Sequence, residues 1–358
     1  MFVRRFLLDF LTMAVALWCG TALLRGSLVA RWGNGVLLIA GLLVTLLCSL
    51  GVEQGYRWML VSGVAFAWGA AVCCAAMIRG VVGTSPGRRK FLHGAMAVPA
   101  ATLGYGMFIG RRKFGLREVD VAMPGLPADL EGLRLVQLSD IHLSPFLSRG
   151  DLRYCVDMAN ETRVQIGFVT GDLITGIHDS IDECLEELKR LRADAGVFGC
   201  NGNHEMYIDA ESYVVERAAN MGMRVLRQAQ ASLTFGSSKL NIAGVDHQWD
   251  RKNYLRHAPG LLRAGETNLL LSHNPDVFPE AAKQGWDLTL AGHMHGGQLN
   301  LDVMGTDFNF ARMATPYVYG LYREERSAIY VSRGIGTIGM PVRVGAAPEV
   351  ALITLRRG

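Results

Sequence analysis

The chain has 358 residues, of which 50% are hydrophobic and 19% are charged. This is too apolar for an ordinary soluble enzyme and too charged for a membrane bundle alone. Residues 1–110 hold only 11 of the 68 charged side chains and carry a net charge of +7, so the remainder carries −3. Because the basic excess flanks apolar runs, a nucleic-acid-binding enzyme domain has no electrostatic support. An intrinsically disordered chain is excluded as well.

Four uncharged runs occupy the N-terminal part of the chain: Phe10–Leu24, Trp32–Val52, Trp58–Ile78 and Phe91–Gly110. The last three have 20 or 21 residues, enough to cross a hydrocarbon core of about 30 Å as helices. The first run reaches that length only if Phe6–Asp9 is included. We predict a transmembrane region of about four helices in residues 1–113 and a catalytic domain in residues 114–358.

The charge of the loops does not decide which side of the membrane carries the catalytic domain, because the two sides hold 7 and 6 positive charges. The string Arg88–Leu92 resembles a twin-arginine export signal. The positive charges of Arg111–Lys113 and Arg117, which follow the fourth run, favour retention of the C-terminal end of that run in the cytoplasm. We predict an extracytoplasmic domain, because the twin-arginine match extends over five positions.

From residue 114 the pattern changes to short apolar strands that alternate with helical segments. Strands are predicted at Leu133–Leu138, Ile166–Thr170, Gly196–Cys200, Lys239–Val245, Thr267–Ser272, Asp287–Ala291 and Ala328–Ser332. Helices are predicted near Asp151–Glu161, Ile181–Leu191, Ala210–Met221 and Pro275–Gln284. Strands that are apolar throughout and alternate with helices indicate a buried, largely parallel α/β core.

Polar residues follow five of the predicted strands, where ligands bind in open α/β sheets. In chain order these residues are Asp140 and His142, Asp172, Asn203 and His204, His273, and His293 and His295. The first and last pairs have i, i+2 spacing. In an extended segment, this spacing directs both side chains to the same side, so each pair can chelate one side of a metal site.

These residues offer two carboxylates, four imidazoles and one amide, with His204 left over. Such a set exceeds the needs of one ion and suits two, with Asp172 as the bridging carboxylate. Oxygen and nitrogen ligands without thiolate favour Mn, Fe, Zn or Co over a structural zinc. Each motif alone has a common structural explanation; Asn203–Glu205, for example, could begin a helix with Glu205 in its first turn. The occurrence of all five in order, each after a hydrophobic run, favours a two-metal site.

A glycine pattern at Gly334–Gly339 matches the dinucleotide-binding fingerprint and follows a predicted strand. Pro341 stands where the helix of that motif should begin, and only 19 residues remain after Gly339. We therefore predict no dinucleotide site.

The motifs Asp140-x-His142, Gly171-Asp172, Gly202-Asn203-His204-Glu205, His273 and Gly292-His293-x-His295 together resemble the calcineurin-like metallophosphoesterase superfamily, over roughly residues 119–355. Two longer strings resemble a narrower branch of membrane-anchored bacterial phosphoesterases and transmembrane proteins with a metallophosphoesterase domain. These strings are Gly292–Gln298 and Tyr330–Gly336, the second of which contains Arg333. The resemblance implies a four-layer α-β-β-α sandwich. It also implies a multi-pass protein of the bacterial inner membrane.

The resemblance further implies a role for each candidate residue. Metal one would be held by Asp140, His142, Asp172 and His295. Metal two would be held by Asp172, Asn203, His273 and His293. His204 would remain unligated and face the leaving group.

The function expected from this resemblance is metal-dependent hydrolysis of a phosphodiester or pyrophosphate bond. The substrate is expected to be amphiphilic or lipid-linked, because the domain is tethered to a bilayer. A UDP-2,3-diacylglucosamine pyrophosphatase-like step of lipid A synthesis is one alternative. A non-catalytic scaffold with the same fold is an alternative of another class, although such proteins usually lose ligands and this set is complete. A transporter would require more polar residues inside the predicted spans.

Overall fold

The computed structural model describes residues 101–303 and 306–358. Three of the four predicted spans, and the first part of the fourth, lie outside the described residues. Residues 101–108 are helical, and the described ranges contain no helix that is both long and apolar enough to cross a bilayer. The transmembrane region and the domain boundary at residue 113 therefore stay predictions.

Residues 110–338 and 343–358 form one compact unit built on two six-stranded sheets. The first sheet contains β1 (Gly115–Met123), β2 (Arg134–Leu138), β3 (Ile166–Thr170), β4 (Val197–Cys200), β5 (Met223–Val225) and β14 (Glu349–Arg357), in the spatial order β1-β14-β2-β3-β4-β5. The second contains β6 (Ala229–Phe235), β7 (Ser238–Val245), β8 (Thr267–Ser272), β9 (Leu288–Ala291), β12 (Gly320–Glu324) and β13 (Ser327–Val331), in the order β12-β13-β9-β8-β7-β6. Strands β10 (Asn300–Val303) and β11 (Thr306–Asn309) form a separate antiparallel pair.

Both sheets are mixed but mainly parallel, which confirms the predicted α/β core. In the first sheet only the β14–β2 pairing is antiparallel, and in the second only the two edge pairings, β12–β13 and β6–β7, are antiparallel. The seven predicted strands correspond to β2, β3, β4, β7, β8, β9 and β13, with ends that differ by at most one residue. Most of these strands are buried along their whole length, as expected for parallel strands covered on both faces.

Five helices connect the strands of the described unit: α1 (Arg149–Glu161), α2 (Ile181–Leu188), α3 (Asn203–Tyr207), α4 (Glu211–Asn220) and α5 (Phe278–Gln284). Helix α1 begins at a capping box, in which the Ser148 hydroxyl accepts from the Asp151 amide at 3.1 Å and the Asp151 carboxylate accepts from the Ser148 amide at 3.0 Å. The predicted helix Pro275–Gln284 is divided, because a 3₁₀ turn at Pro275–Val277 precedes α5.

The two sheets pack face to face. One buried cluster joins Leu135 and Phe168 of the first sheet to Ile242, Leu271 and Leu290 of the second. Helices α1, α2 and α4 bury their apolar faces in a separate cluster on the other face of the first sheet. Helix α5 packs against the second sheet. The fold is thus an α/β fold with mixed sheets, and the candidate site lies at the carboxyl ends of β2, β3 and β4 of the first sheet and of β8 and β9 of the second.

Candidate metal centre

The predicted site residues lie at the carboxyl ends of five strands. Asp140 and His142 follow β2, Asp172 follows β3, Asn203 and His204 follow β4, His273 follows β8, and His293 and His295 follow β9. Strands β2–β4 and strands β8–β9 are parallel neighbours within their own sheets. The structure therefore brings the polar residues of both sheets to one place, as the strand-end pattern predicted.

A first group of four buried side chains contains Asp140, His142, Asp172 and His295, whose potential ligand atoms lie within 4.8 Å of one another. The Nε2 atoms of His142 and His295 are 3.1 Å apart. The His142 Nε2 lies 3.5 Å from Asp172 Oδ2, and the His295 Nε2 lies 3.3 Å from Asp140 Oδ1. Two nitrogen and two oxygen donors therefore converge on one small volume.

A second group contains His247, His273 and His293, again with potential ligand atoms within 4.8 Å of one another. Asp172 connects the two groups, because its Oδ2 atom also lies 3.0 Å from His273 Nε2. The His273 Nδ1 donates to the Thr170 carbonyl at 2.7 Å, which turns Nε2 toward the centre. His247 was not among the predicted residues.

The donor set fits divalent cations. Four polar atoms of the centre are buried without a hydrogen-bond partner in the described part of the chain: Asp140 Oδ2, Asn203 Oδ1, His247 Nδ1 and His273 Nε2. Leaving a buried polar atom unsatisfied costs about 1–3 kcal/mol, and a coordinated cation removes that cost. Because all donors are oxygen or imidazole nitrogen, the set suits Mn, Fe, Zn or Co.

The backbone at the candidate ligands is left-handed, not extended. Asp140, His142, Asp172, His293 and His295 have φ between 49° and 74°, a region that is sparsely populated by residues other than glycine and that is concentrated at functional sites. The premise that each i, i+2 pair points to one side of an extended segment is therefore wrong. The members of the second pair in fact join different groups, His293 the second and His295 the first.

Glycines permit the close approach of the ligand loops. A Cβ atom on Gly202 would collide with the carboxylate and amide of Asp172, and a Cβ on Gly292 would collide with Ser139 Oγ and Asp140 Oδ2. Any side chain at either position would displace a candidate ligand. This explains in physical terms why glycine accompanies Asn203 and His293 in the motifs.

The Glu205 carboxylate fixes the Asp172 loop. It is buried and accepts hydrogen bonds from the amides of Gly202 at 2.7 Å, Asp172 at 3.0 Å and Leu173 at 2.7 Å. Glu205 also lies in the first turn of α3. The helix-start interpretation of Asn203–Glu205 is therefore confirmed, and it is compatible with the site interpretation, because one carboxylate caps the helix and holds the loop after β3.

His204 lies beside the first group but belongs to neither group. Its Nδ1 lies 2.7 Å from the Thr175 carbonyl oxygen and must donate to it, so Nε2 is left as the atom that can exchange a proton. The ring packs edge-on against His142 with a centroid distance of 4.7 Å. The His204 amide donates to Asp172 Oδ1 at 2.9 Å. This geometry suits an imidazole that transfers a proton next to a metal centre.

Burial and neighbouring charges shift the pKa values of the site in opposite directions. Burial raises the pKa of Asp140 to about 6 against the opposing charge of His273. Burial would also raise the pKa of Asp172, but His273 and His142 outweigh it and hold that pKa well below its usual range. Burial disfavours a charged His273, yet the Asp172 and Asp140 carboxylates raise its pKa to about 10. Without a metal ion the carboxylates therefore retain a proton on His273 as their counter-charge.

Burial lowers the pKa of three other candidate ligands against the opposing charge of Asp172: His142 to about 3, His293 to about 4, and His295 well below its ordinary value. These imidazoles are consequently neutral at physiological pH and present a lone pair, which is the form that binds a metal ion.

Metal binding is expected to stabilise the protein more at pH 9 than at pH 7. The pKa of His273 is raised from 6.5 to about 10, so the stabilisation from its proton is complete below pH 6.5 and is lost as the pH rises through about 10. A bound metal ion replaces that proton, so the metal-loaded protein lacks this loss. Thermal unfolding with Mn and with a chelator, from pH 7 to pH 9, measures the difference in Tm. A difference that stays constant or shrinks would show that His273 does not carry the proton.

Two residues near the site were not identified from the sequence. Arg343 is buried, and its guanidinium donates to the carbonyls of Gly336, Ala346 and His295, which holds the loop that carries His295. His247 follows β7 as the predicted ligands follow their own strands, so the same strand-end pattern would have identified it. Arg343 follows no predicted strand, and no sequence signal marked it.

The Gly334–Gly339 string is used for packing. The Ile335 amide donates to the Ser139 carbonyl at 3.0 Å, and the Gly336 amide donates to the Asp140 carbonyl at 2.7 Å. A Cβ atom on Gly334 would lie 2.5 Å from the Asp140 Cβ. The glycines thus allow this loop to lie directly against the Asp140 loop.

The described residues thus combine an α/β fold of mixed sheets with clusters of Asp and His side chains able to bind metal ions. Residues 133–297 match the family model described as calcineurin-like phosphoesterase. This match agrees with the resemblance that the ordered motifs had indicated.

The relatives of the chain include membrane proteins and a phosphodiesterase. A Danio rerio protein named "Transmembrane protein with metallophosphoesterase domain" is 31% identical over 74% of this chain, and the match spans 62% of that relative. "Phosphodiesterase YaeI" of Escherichia coli K12 is 24% identical over 75% of this chain and 98% of its own length. Among solved structures, an archaeal phosphodiesterase matches over 57% of this chain and 87% of its own, with 15% identity and a TM-score of 0.34.

Proposed function

We propose that the chain hydrolyses a phosphodiester or pyrophosphate bond with two divalent metal ions, in a four-layer α-β-β-α domain. Asp140, His142, Asp172 and His295 would hold one ion. Asp172, Asn203, His273 and His293 would hold the other. The observation that carries the proposal is the position of Asp172, whose Oδ2 lies 3.5 Å from an imidazole of the first group and 3.0 Å from one of the second.

The chemistry divides between the ions and the chain. Bound divalent ions would neutralise phosphoryl oxygens and lower the pKa of an attacking water molecule. His204 would hold a proton at Nε2 and donate it to the departing oxygen, because its Nδ1 is already committed to the Thr175 carbonyl. Attack by water requires no covalent bond between substrate and enzyme.

Hydrolysis of a simple phosphodiester by the purified full chain tests this function. Chelation is expected to abolish hydrolysis, and added Mn is expected to restore it. A panel of lipid pyrophosphates and lipid phosphodiesters, including UDP-2,3-diacylglucosamine, then ranks the two bond types. Hydrolysis that persists after complete removal of metal would refute the proposal.

Exposed aromatic rings beside the centre support an amphiphilic substrate. Tyr207 and Trp249 are stacked with a centroid distance of 5.7 Å and an interplanar angle of 24°, and they are 61% and 53% exposed. The Tyr207 ring lies 5.2 Å from His204, and the Trp249 ring lies 4.2 Å from His247. An apolar part of a substrate can therefore bury these rings while its phosphate group reaches the centre.

Trp249→Ala is expected to lower kcat/KM for an acylated phosphodiester by about tenfold, because the burial of a large side chain is worth about 1.5–3 kcal/mol and each tenfold change corresponds to about 1.4 kcal/mol. The same diester without its acyl chain should be hydrolysed at nearly the wild-type rate. Trp249→Phe, which keeps an aromatic ring, is the matched control. Equal losses for both substrates would show that Trp249 does not contact the acyl chain.

The proposal places the chain in the bacterial inner membrane, anchored by the four predicted spans, with the catalytic domain outside the cytoplasm. The name of the Danio rerio relative supports membrane association, and the string Arg88–Leu92 supports export. Phosphatase and fluorescent reporters fused after Gly358 test the orientation. Reporter activity confined to the cytoplasm would reverse it and would favour a UDP-linked lipid substrate at the cytoplasmic face.

A further inference from the structure

His247 occupies the same kind of position as the predicted ligands. It lies two residues beyond the end of β7, and β7 is the parallel neighbour of β8, whose end carries His273. Strand β9, which carries His293, is next in the same sheet. Three adjacent parallel strands therefore each deliver one histidine to the same side of the centre.

The surroundings of His247 leave one of its ring nitrogens available to a metal ion. The residue is only 3% exposed, and its Nδ1 atom is buried with no hydrogen-bond partner among the described residues. The ring centroid lies 4.9 Å from that of His293 and 5.7 Å from that of His273. A buried imidazole nitrogen without a partner is costly, and the potential ligand atoms of all three histidines lie within 4.8 Å of one another.

We propose that His247 is an additional ligand of the ion on the His273 side, an inference that rests on the proposed two-metal function. This ion would then have three imidazoles, from His247, His273 and His293. The other ion would have two, with the Asp140 carboxylate. An imidazole-rich site favours Co, Fe or Zn over Mn, whereas carboxylate ligands suit Mn. The two sites therefore differ in metal preference.

Titration of the metal-free full chain with Co²⁺ tests this inference, because the visible absorption of Co²⁺ reports its ligands independently of activity. Wild type is expected to bind two equivalents. His247→Ala is expected to weaken the binding of one equivalent by at least about 10- to 100-fold, the loss that results when even an outer partner of a ligand is removed. The spectrum of that equivalent should change, while the other should bind as in wild type.

His257→Ala is the matched control, because His257 is an exposed histidine in the same connection between β7 and β8. It should bind Co²⁺ as wild type does. Trp249→Ala removes the ring that packs on His247 and should also retain both equivalents, which separates ligation from packing. If His247→Ala does not fold, His247→Gln, which preserves most of the side-chain volume, should show the same selective loss.

The outcomes distinguish the two proposals. If wild type binds two equivalents and both His247 variants bind them with unchanged affinity and spectrum, His247 only packs against Trp249 and the inference is overturned. If Trp249→Ala loses the same equivalent as His247→Ala, packing again explains the loss. If wild type itself binds fewer than two equivalents, the two-metal function fails first.

Discussion

Asp172→Asn is expected to remove metal from both positions and to reduce phosphodiester hydrolysis to background. Asp172 is the residue whose carboxylate approaches imidazoles of both groups, at 3.5 Å from His142 and 3.0 Å from His273. The asparagine side chain has nearly the same volume as the aspartate. Its oxygen can still accept the hydrogen bond that the His204 backbone amide donates to Asp172 Oδ1 at 2.9 Å in the wild type. The change therefore removes the negative charge and preserves most of the packing.

Elemental analysis after gel filtration measures the loss of metal, and circular dichroism checks the fold. Asp157→Asn is the matched control, because Asp157 belongs to neither ligand group and forms an exposed ion pair with Arg190. Such pairs contribute at most about 1 kcal/mol. An Asp172→Asn protein that retains two metal ions would contradict the bridging assignment.

His204→Ala is expected to retain both metal ions and to slow turnover by about 10²- to 10⁴-fold, the usual contribution of a general acid. The expectation follows from the position of His204 outside both ligand groups, with Nδ1 bound to the Thr175 carbonyl. The loss should depend on the leaving group. A nitrophenolate departs without a proton, so its release should slow much less than that of an alkoxide.

Parallel assays with a nitrophenyl and an alkyl phosphodiester, together with elemental analysis, measure this difference. His178→Ala provides a control, because His178 is exposed in the loop that also contains Thr175. If His204→Ala loses metal as severely as Asp172→Asn, His204 is a ligand and its assignment as the proton donor is wrong.

The sequence predicted the buried parallel strands well, because each is a short apolar run that local composition reveals. It did not reveal β1, β6 or β14. Strands β1 and β14 depend on distant partners, because β14, at the C-terminal end of the chain, inserts between β1 and β2. Strand β6 is an edge strand, paired only with β7, and is not fully buried. Such pairings are fixed by tertiary packing and have a weak local signal.

The candidate site was predicted largely because polar residues at the ends of parallel strands must meet. The reason given for the chelating pairs was wrong, since Asp140 and His293 are left-handed and the i, i+2 rule applies to extended chains. That conformation is imposed by the loops: the Asp140 carboxylate accepts from the His293 amide at 2.7 Å across the two sheets. No local pattern encodes a contact between residues that are so distant in sequence.

His247 shows the opposite case, in which the pattern was present but was not used. It follows a correctly predicted strand, as His273 does, yet it matches none of the ordered motifs. Glu205 shows that one residue can satisfy two interpretations, because its carboxylate caps α3 and also accepts the Asp172 and Leu173 amides.

The metal content of the active, purified chain tests the central claim most directly. The proposed function requires two ions that share Asp172, so elemental analysis combined with an activity assay on the same sample should find about two transition-metal ions per chain. Activity should fall in proportion as these ions are removed and should return when they are restored. Full activity in protein that contains no transition metal would contradict the two-metal centre.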